Sequence, residues 1–253
     1  MKKQYFKYYF NHPKVWDAIR INSARKETNF LIKLFRKMGN IKTILDVGCG
    51  TGRHLEILVK NGFKCTGIDA NKKLIMHARK LFPYIDFIVA DMKNMKLQSK
   101  FDAIICLCGV LHYSETNNEV RHVINSFYRL LNPGGVLVLD NINAIGFINQ
   151  FKFKKHLIVK NPFNLFGLKC SVEHSVIEQK QILKEIRTIT DLKTGSIVQK
   201  DQTRFRLFFP EELSFYLENS GFKNINHFSG FSFSDGEALK SFRMVTVAHK
   251  KHD

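Results

Sequence analysis

The sequence predicts an α/β fold in which helices cover both faces of a mostly parallel sheet. Three observations carry this prediction. Short apolar runs alternate with amphipathic stretches from Lys42 to Asp140. A glycine-rich turn, Gly48-Cys49-Gly50-Thr51-Gly52, joins the first run to the first amphipathic stretch. Acids, Asp46, Asp69 and Asp91, stand at the ends of successive runs. Alternation of this kind builds parallel βαβ units with right-handed crossovers, whose ligand sites lie at the carboxyl ends of the strands.

Taken from the start, residues 12 to 38 carry Trp16, Ile19, Phe30, Leu31, Leu34, Phe35 and Met38, the later ones at helical spacing, until Gly39-Asn40 ends the pattern. This is an N-terminal helical arm. Its aromatic leader, Tyr5 to Phe10, is too polar for a core strand and either folds as a lid over a ligand or caps the sheet. Strands follow at Thr43–Val47, Cys65–Asp69, Asp86–Ala90, Asp102–Leu107 and Gly135–Asp140, with helices near 52–61, 72–82 and 117–131. After Ala144 the rhythm changes. Cys170–Glu178, Ile182–Asp191 and Ser196–Leu207 are extended and β-branched, and Asp191-Leu192-Lys193-Thr194-Gly195 has the chemistry of a turn between antiparallel strands. The α/β rhythm resumes with a helix opened by Pro210 and closed by Gly221, then strands at 224–229 and 242–248. The boundaries are therefore an arm over 1–40, a main domain over 41–144 and 208–253, and an inserted antiparallel layer over 145–207.

The chain has 253 residues and a formal charge of +18. Such a charge favours an anionic partner such as RNA, a nucleotide-bearing substrate or a membrane surface. The lysines are scattered, however, in a chain also rich in Phe, Ile and Asn, which fits a composition bias equally well. No apolar run reaches the roughly 18 residues that cross a bilayer, and the start lacks the pattern of a signal peptide, so the expected location is the cytoplasm with no membrane anchor. The five cysteines have no framework spacing. Cys106-x-Cys108 lacks a second ligand pair, so no metal site is expected.

The chemistry gathers at the strand ends. Glycines in Asp46-Val47-Gly48-Cys49-Gly50-Thr51-Gly52 let the backbone turn tightly and approach a ligand, and the helix start offers unpaired N–H groups. A dinucleotide site is the competitor. Its pattern asks for a third glycine where this chain has Arg53, and does not call for the acid at Asp46. Asp69 ends the second strand 19 residues after Gly50, where a carboxylate can accept from both hydroxyls of a ribose. That feature is shared with NAD sites and does not choose between cofactors.

The segment D-V-G-C-G-T-G resembles the first motif of the class I S-adenosylmethionine-dependent methyltransferases, and the resemblance runs over roughly residues 42 to 140. It implies a Rossmann-like, seven-stranded, mostly parallel sheet with the last strand antiparallel. It also implies S-adenosylmethionine as cofactor, leaving as S-adenosylhomocysteine. By resemblance, Gly48, Gly50 and Gly52 face the methionine part, with Asp46 positioning its amino or carboxylate end. Asp69, with Ala70 beside it, takes the ribose. Asp91 accepts from the adenine amino group and Met92 packs on the ring. Leu107 and Cys108 offer backbone groups near the sulfonium, and His112 and Tyr113 face the acceptor. Leu130-Leu131-Asn132-Pro133-Gly134-Gly135 is similar to the family's turn into its fifth strand.

Transfer from a sulfonium asks mainly for positioning, since the leaving group departs neutral. His112 is the candidate base for an amine or hydroxyl acceptor, with pocket shaping as the alternative, and Tyr113 either orients the acceptor or lines the wall. Acceptor choice falls to the arm around Tyr5, Tyr8 and Tyr9, to Asn141-Ile142-Asn143, and to the inserted layer as an acceptor-side cap. The insertion is loosely similar in layout to the amino-sugar N-methyltransferases. Residues 151 to 206 hold 12 Lys or Arg against 5 Asp or Glu, which suits a phosphate-bearing acceptor or a solvated face. His174 reads as a packed strand residue. The expected function is methyl transfer to a nitrogen or oxygen of a small molecule. An RNA methyltransferase is the alternative raised by the charge, although no RNP-type strand, KH loop or zinc knuckle is visible.

Overall fold

The structure is a computed structural model, and it describes residues 7–151, 156–157, 166–233 and 241–251. Tyr5 and Phe6 of the aromatic leader lie outside the described residues. The arm begins with the short helix α1 (Lys7–Asn11) and continues as α2 (Pro13–Met38). Proline at the first position of α2 loses no hydrogen bond there, because that N–H has no partner in any helix. Gly39 ends α2 in the left-handed conformation, φ 77°, its N–H donating to the Phe35 carbonyl at 3.1 Å.

A seven-stranded sheet follows from β1 (Thr43–Val47), β2 (Lys64–Asp69), β3 (Asp86–Val89), β4 (Phe101–Cys106), β5 (Leu131–Ile142), β10 (Lys223–Ser229) and β11 (Arg243–His249). Their spatial order is β10-β11-β5-β4-β1-β2-β3. The five central and edge strands from β5 to β3 pair in parallel, while β11 runs antiparallel to both neighbours. This is the expected Rossmann-like sheet with its last strand reversed. The order reverses direction between β1 and β4, which opens a crevice above their carboxyl ends.

Helices cover both faces because both faces are apolar. On one side α5 (Asn117–Leu130) and α7 (Pro210–Asn219) bury Val120, Ile124, Phe127, Leu213 and Leu217 against Leu45, Ile104, Leu137 and Met244. On the other α2, α3 (Arg53–Lys60) and α4 (Lys72–Leu81) bury Phe35, Leu55, Leu58 and Ile75 against Ile44, Ala103, Ile105 and Val138. α5 starts on a capping box, Thr116 with Glu119, and Asn71 caps α4 by accepting from the N–H groups of Lys73 and Leu74. β5 starts earlier than the sequence suggests, at Leu131 before Pro133. Leu131 already pairs with Phe101, and the register shifts before Ala103 pairs with Val136.

Between β5 and α7 lie α6 (Ala144–Phe151), β6 (His156–Leu157), β7 (Leu168–Ile177), β8 (Ile182–Asp191) and β9 (Ile197–Arg206). The last four form a separate antiparallel sheet in chain order. Its buried face, Cys170, Val172, Leu183, Ile189 and Phe205, packs with Phe147, Val15 and Tyr8 into a third apolar cluster. The arm touches this layer directly, since the Tyr8 N–H donates to Asp201 Oδ2 of β9 at 3.1 Å.

Candidate active site

A cavity of about 410 Å³ opens above the carboxyl ends of the central strands, within the range of roughly 300–1,000 Å³ usual for small-molecule sites. Asp46, Gly48, Gly50, Asp69, Ala70, Asp91, Met92, Leu107, Cys108, His112 and Tyr113 all line it. The structure thus gathers eleven of the twelve predicted residues around one space. Gly52 is not among the lining residues. Its φ is 80°, and a Cβ there would meet the Phe87 ring at 2.6 Å, so its glycine serves the packing of the turn against β3.

The turn is pinned from below. The N–H groups of Gly48 and Cys49 donate to the Ile68 carbonyl, and the Gly50 N–H donates to Asp69 Oδ2 at 3.0 Å. Asp69 Oδ1 also accepts from the Asn71 N–H at 2.7 Å. Burial pushes the Asp69 carboxyl up from its ordinary value, partly offset by these two N–H groups. A Cβ on Gly50 would have nothing nearer than Trp16 Nε1 at 4.0 Å, so the space over this glycine belongs to the cavity. Asp91 is exposed, and its Oδ1 caps the following turn by accepting from the Lys93 N–H at 2.9 Å.

Asp46 lies fully buried at the end of β1, and its Oδ2 has no hydrogen-bond partner. Burial raises its pKa to about 7, against the opposing pull of Arg53. A cationic group in the cavity would relieve that penalty. An ammonium, two vicinal hydroxyls and an adenine ring presented to Asp46, Asp69 and the Asp91-Met92 pair are the parts of S-adenosylmethionine, so the residues present fit this cofactor. Arg53, at the start of α3, spans the mouth. Its guanidinium lies 5.5 Å over the Trp16 ring and donates to Cys108 Sγ at 3.3 Å, while its buried Nε has no partner.

His112 requires a correction. It is fully buried, its Nδ1–H donates to the Arg206 carbonyl, and its Nε2 accepts from the Ile142 N–H at 2.7 Å. Burial drives its pKa down to about 4 despite the Arg206 carbonyl. Both ring nitrogens are committed to backbone, so the imidazole is neutral and has no lone pair to offer a substrate. Of the two readings of His112, the pocket-shaping one is the one this geometry supports. Tyr113 lines the cavity with its ring 5.4 Å from Phe205 of the inserted layer.

Several neighbours were not singled out by sequence. Glu27 of α2 is buried, accepts from His54 Nε2 at 2.6 Å and from Arg243 Nη1 at 3.0 Å, and Arg243 also grips Asp140 through two hydrogen bonds. Asp140 Oδ2 accepts from the Cys108 N–H at 2.7 Å, so the chain of charges runs from the arm to the backbone beside the cavity. Burial favours protonation of Glu27, but His54 and Arg243 bring it down to about 2, and burial keeps His54 neutral. Glu27, His54 and Cys108 converge closely enough for a metal ion, yet Arg53 and Arg243 hold the Cys108 and Glu27 ligand atoms. From the inserted layer, Glu185 and Arg187 of β8 and Phe205 of β9 reach the cavity. Arg204 and Arg206, which share a strand face, are engaged internally: Arg204 pairs with Glu115 at 2.9 Å, and Arg206 with Glu212 and with Asn117 Oδ1 at 2.6 Å.

A sheet of this order, with a glycine turn and three strand-end acids around one crevice, is a Rossmann-like arrangement with its candidate site at the strand ends. The family model described as "Methyltransferase domain" matches residues 44–135. A dTDP-3-amino-3,4,6-trideoxy-alpha-D-glucopyranose N,N-dimethyltransferase from Streptomyces venezuelae is 30% identical over 137 residues, 53% of this chain and 58% of the relative. The chain thus spans somewhat over half the length of that relative. A dTDP-4-amino-2,3,4,6-tetradeoxy-D-glucose N,N-dimethyltransferase from Saccharopolyspora spinosa is 27% identical over 222 residues, 84% of this chain and 86% of the relative. The crystal structure of an S-adenosylmethionine-dependent methyltransferase from Clostridium acetobutylicum superposes with a TM-score of 0.81 at 16% identity, covering 96% of this chain and 99% of that one, and so shares the fold. Residues 44–135 thus match a methyltransferase domain, and the chain has the fold of a solved S-adenosylmethionine-dependent methyltransferase.

Proposed function

We propose that the protein transfers a methyl group from S-adenosylmethionine to a nitrogen or oxygen of a small molecule held between the strand ends and the inserted layer. The observation that carries this reading is the shared cavity: Asp46, Asp69 and Asp91 of the strand ends line it together with Tyr113 and with Glu185, Arg187 and Phe205 of the inserted layer. Donor-side and acceptor-side walls enclose a single space of small-molecule size. Two relatives named as N,N-dimethyltransferases of nucleotide-linked amino sugars support nitrogen as the atom and that class as the first to test.

The bound cofactor supplies a methyl group on a sulfonium whose departure leaves a neutral thioether. The chain's own work is therefore placement. In this reading Asp46 receives the amino end of the cofactor, Gly48 and Gly50 let it lie close to the backbone, and Asp69 with Ala70 holds the ribose. Asp91 and Met92 hold the adenine, and Leu107 and Cys108 offer backbone groups near the sulfur. The cysteine's φ of 56° and the Asp140 hydrogen bond to its N–H fix that stretch. Holding donor and acceptor at near-attack distance replaces acid or base chemistry as the main source of acceleration. Trp16 and Arg53 from the arm side, and the inserted layer from the other, exclude water in the roles of lid and acceptor-side cap.

The test is incubation with methyl-labelled S-adenosylmethionine and a cell extract divided into small-molecule and RNA fractions. Label is expected in the small-molecule fraction. Label confined to the RNA fraction, with binding to bulk tRNA falling steeply with salt, would replace this reading with that of a nucleic-acid methyltransferase.

A further inference from the structure

Asn141 near the end of β5 lines the cavity at 1% exposure, and neither its Oδ1 nor its Nδ2 has a hydrogen-bond partner. Buried carboxamides are ordinarily paired, because both groups lose their water on folding. One kept unpaired in the wall of a site is paired by what enters the site. The cofactor roles above do not use Asn141, which the sequence placed only in a segment of acceptor choice.

Glu185 reaches the same cavity from β8. It is 6% exposed, its Oε2 accepts from His174 Nε2 at 2.8 Å, and its Oε1 accepts from Arg187 Nε. Burial alone would protonate it, but the charge of Arg187 and the His174 hydrogen bond outweigh burial and hold it below the ordinary carboxylate range. It is thus an ionised carboxylate with fixed orientation, and each oxygen keeps a further lone pair. The rings of Phe10, Phe205 and Phe242 line the same cavity. An oriented anion and an amide oxygen among aromatic faces suit a nitrogen carrying several hydrogens and a positive charge.

We propose that Asn141 and Glu185 are the acceptor-recognition pair and that the acceptor is a primary or secondary amine. Glu185 receives one N–H of the acceptor and, where the amine is primary, Asn141 Oδ1 the second. A cationic acceptor next to a sulfonium is repelled, and Glu185 offsets that repulsion while the amine gives up a proton to solvent and presents its lone pair. This inference rests on the methyltransferase reading.

The experiment divides a small-molecule cell extract into two halves and treats one with N-hydroxysulfosuccinimide acetate, which caps primary and secondary amines. Each half is then incubated with the full chain and methyl-labelled S-adenosylmethionine. Label is expected in the untreated half and lost at least tenfold in the capped half. Glu185→Gln and Asn141→Leu are expected to cut labelling at least tenfold at dilute extract and to recover as the extract is concentrated. Their calorimetric affinity for S-adenosylhomocysteine should stay within twofold of wild type. Equal label in both halves overturns the amine assignment while leaving the methyltransferase reading intact. Variants that lose S-adenosylhomocysteine affinity in step with labelling show a merely structural pair and overturn it too. A wild-type chain that neither binds S-adenosylhomocysteine nor labels either half overturns the function itself, and this inference with it.

Discussion

Replacing His112 by alanine separates a structural imidazole from a catalytic one. The substitution strips the Arg206 carbonyl and the Ile142 N–H of their common partner and leaves a void against the rings of Phe205 and Phe208. Aromatic-to-alanine changes in a packed interior cost about 3–5 kcal/mol. Orphaned buried polar groups add about 1–3 kcal/mol each where water cannot reach them. A total loss of at least about 5 kcal/mol, at roughly 2–4 °C per kcal/mol for a chain of this size, lowers Tm by at least about 10 °C. His112→Gln, whose amide can donate to one backbone group and accept from the other, should recover more than half of that loss. The assay is thermal unfolding followed by circular dichroism, run beside labelled methyl transfer. An alanine variant whose Tm stays within about 2 °C of wild type while turnover collapses would refute the positioning role and restore His112 as a base.

Further outcomes follow from the same geometry. Asp46 has its carboxyl raised to about 7, above its ordinary value, so the ligand-free protein should lose stability as pH rises through 7. Binding that needs the ionised form should tighten over the same range. Calorimetry with S-adenosylhomocysteine should show affinity rising from pH 6 to 8 and a flat profile for Asp46→Asn, and a flat wild-type profile would contradict it. Asp69→Ala loses charge-assisted hydrogen bonds of about 1.5–3 kcal/mol and the partner of the Gly50 N–H, so the same measurement should weaken roughly 10- to 100-fold. A change under about twofold would remove Asp69 from the cofactor's contacts. Gly52→Ala places a Cβ at positive φ against Phe87 and should cost about 2–4 kcal/mol in urea unfolding, and a neutral result would count against the packing role. His112, held down to about 4 against an unfolded value near 6.5, contributes stability that is present above pH 6.5 and lost as pH falls toward 4, so His112→Gln should flatten that acid limb.

The sheet was legible because its signals are local. β1 and β8 occupy the ranges read from apolar and β-branched runs, Thr43–Val47 and Ile182–Asp191, and the helices end within one or two residues of their breakers. The predicted residues meet in one cavity because strand ends and turns carry their own chemistry in sequence. What escaped is what depends on distant partners. Nothing near His112 announces Ile142, 30 residues on, or Arg206, 94 residues on. Arg243 meets Glu27 across 216 residues, and neither stands in a recognisable motif. Glu185 and Arg187 were hidden in a basic stretch, although two opposite charges at alternate positions of a strand share a face. Charge counting in that stretch could not show that Arg204 and Arg206 pair with Glu115 and Glu212, partners that lie outside it.

The backbone groups that His112 joins are the two thresholds of the inserted layer, Ile142 where the chain leaves the main sheet and Arg206 where it comes back. A bridge between Asn143 and Phe208, and the Ala144 N–H on the Phe208 carbonyl, close the same neck. The described strands between depart and return through one gate, so that layer can diverge, lengthen or be exchanged without pulling on the strands of the main sheet. A fold wired this way keeps its donor chemistry constant while the other half of the reaction is free to evolve.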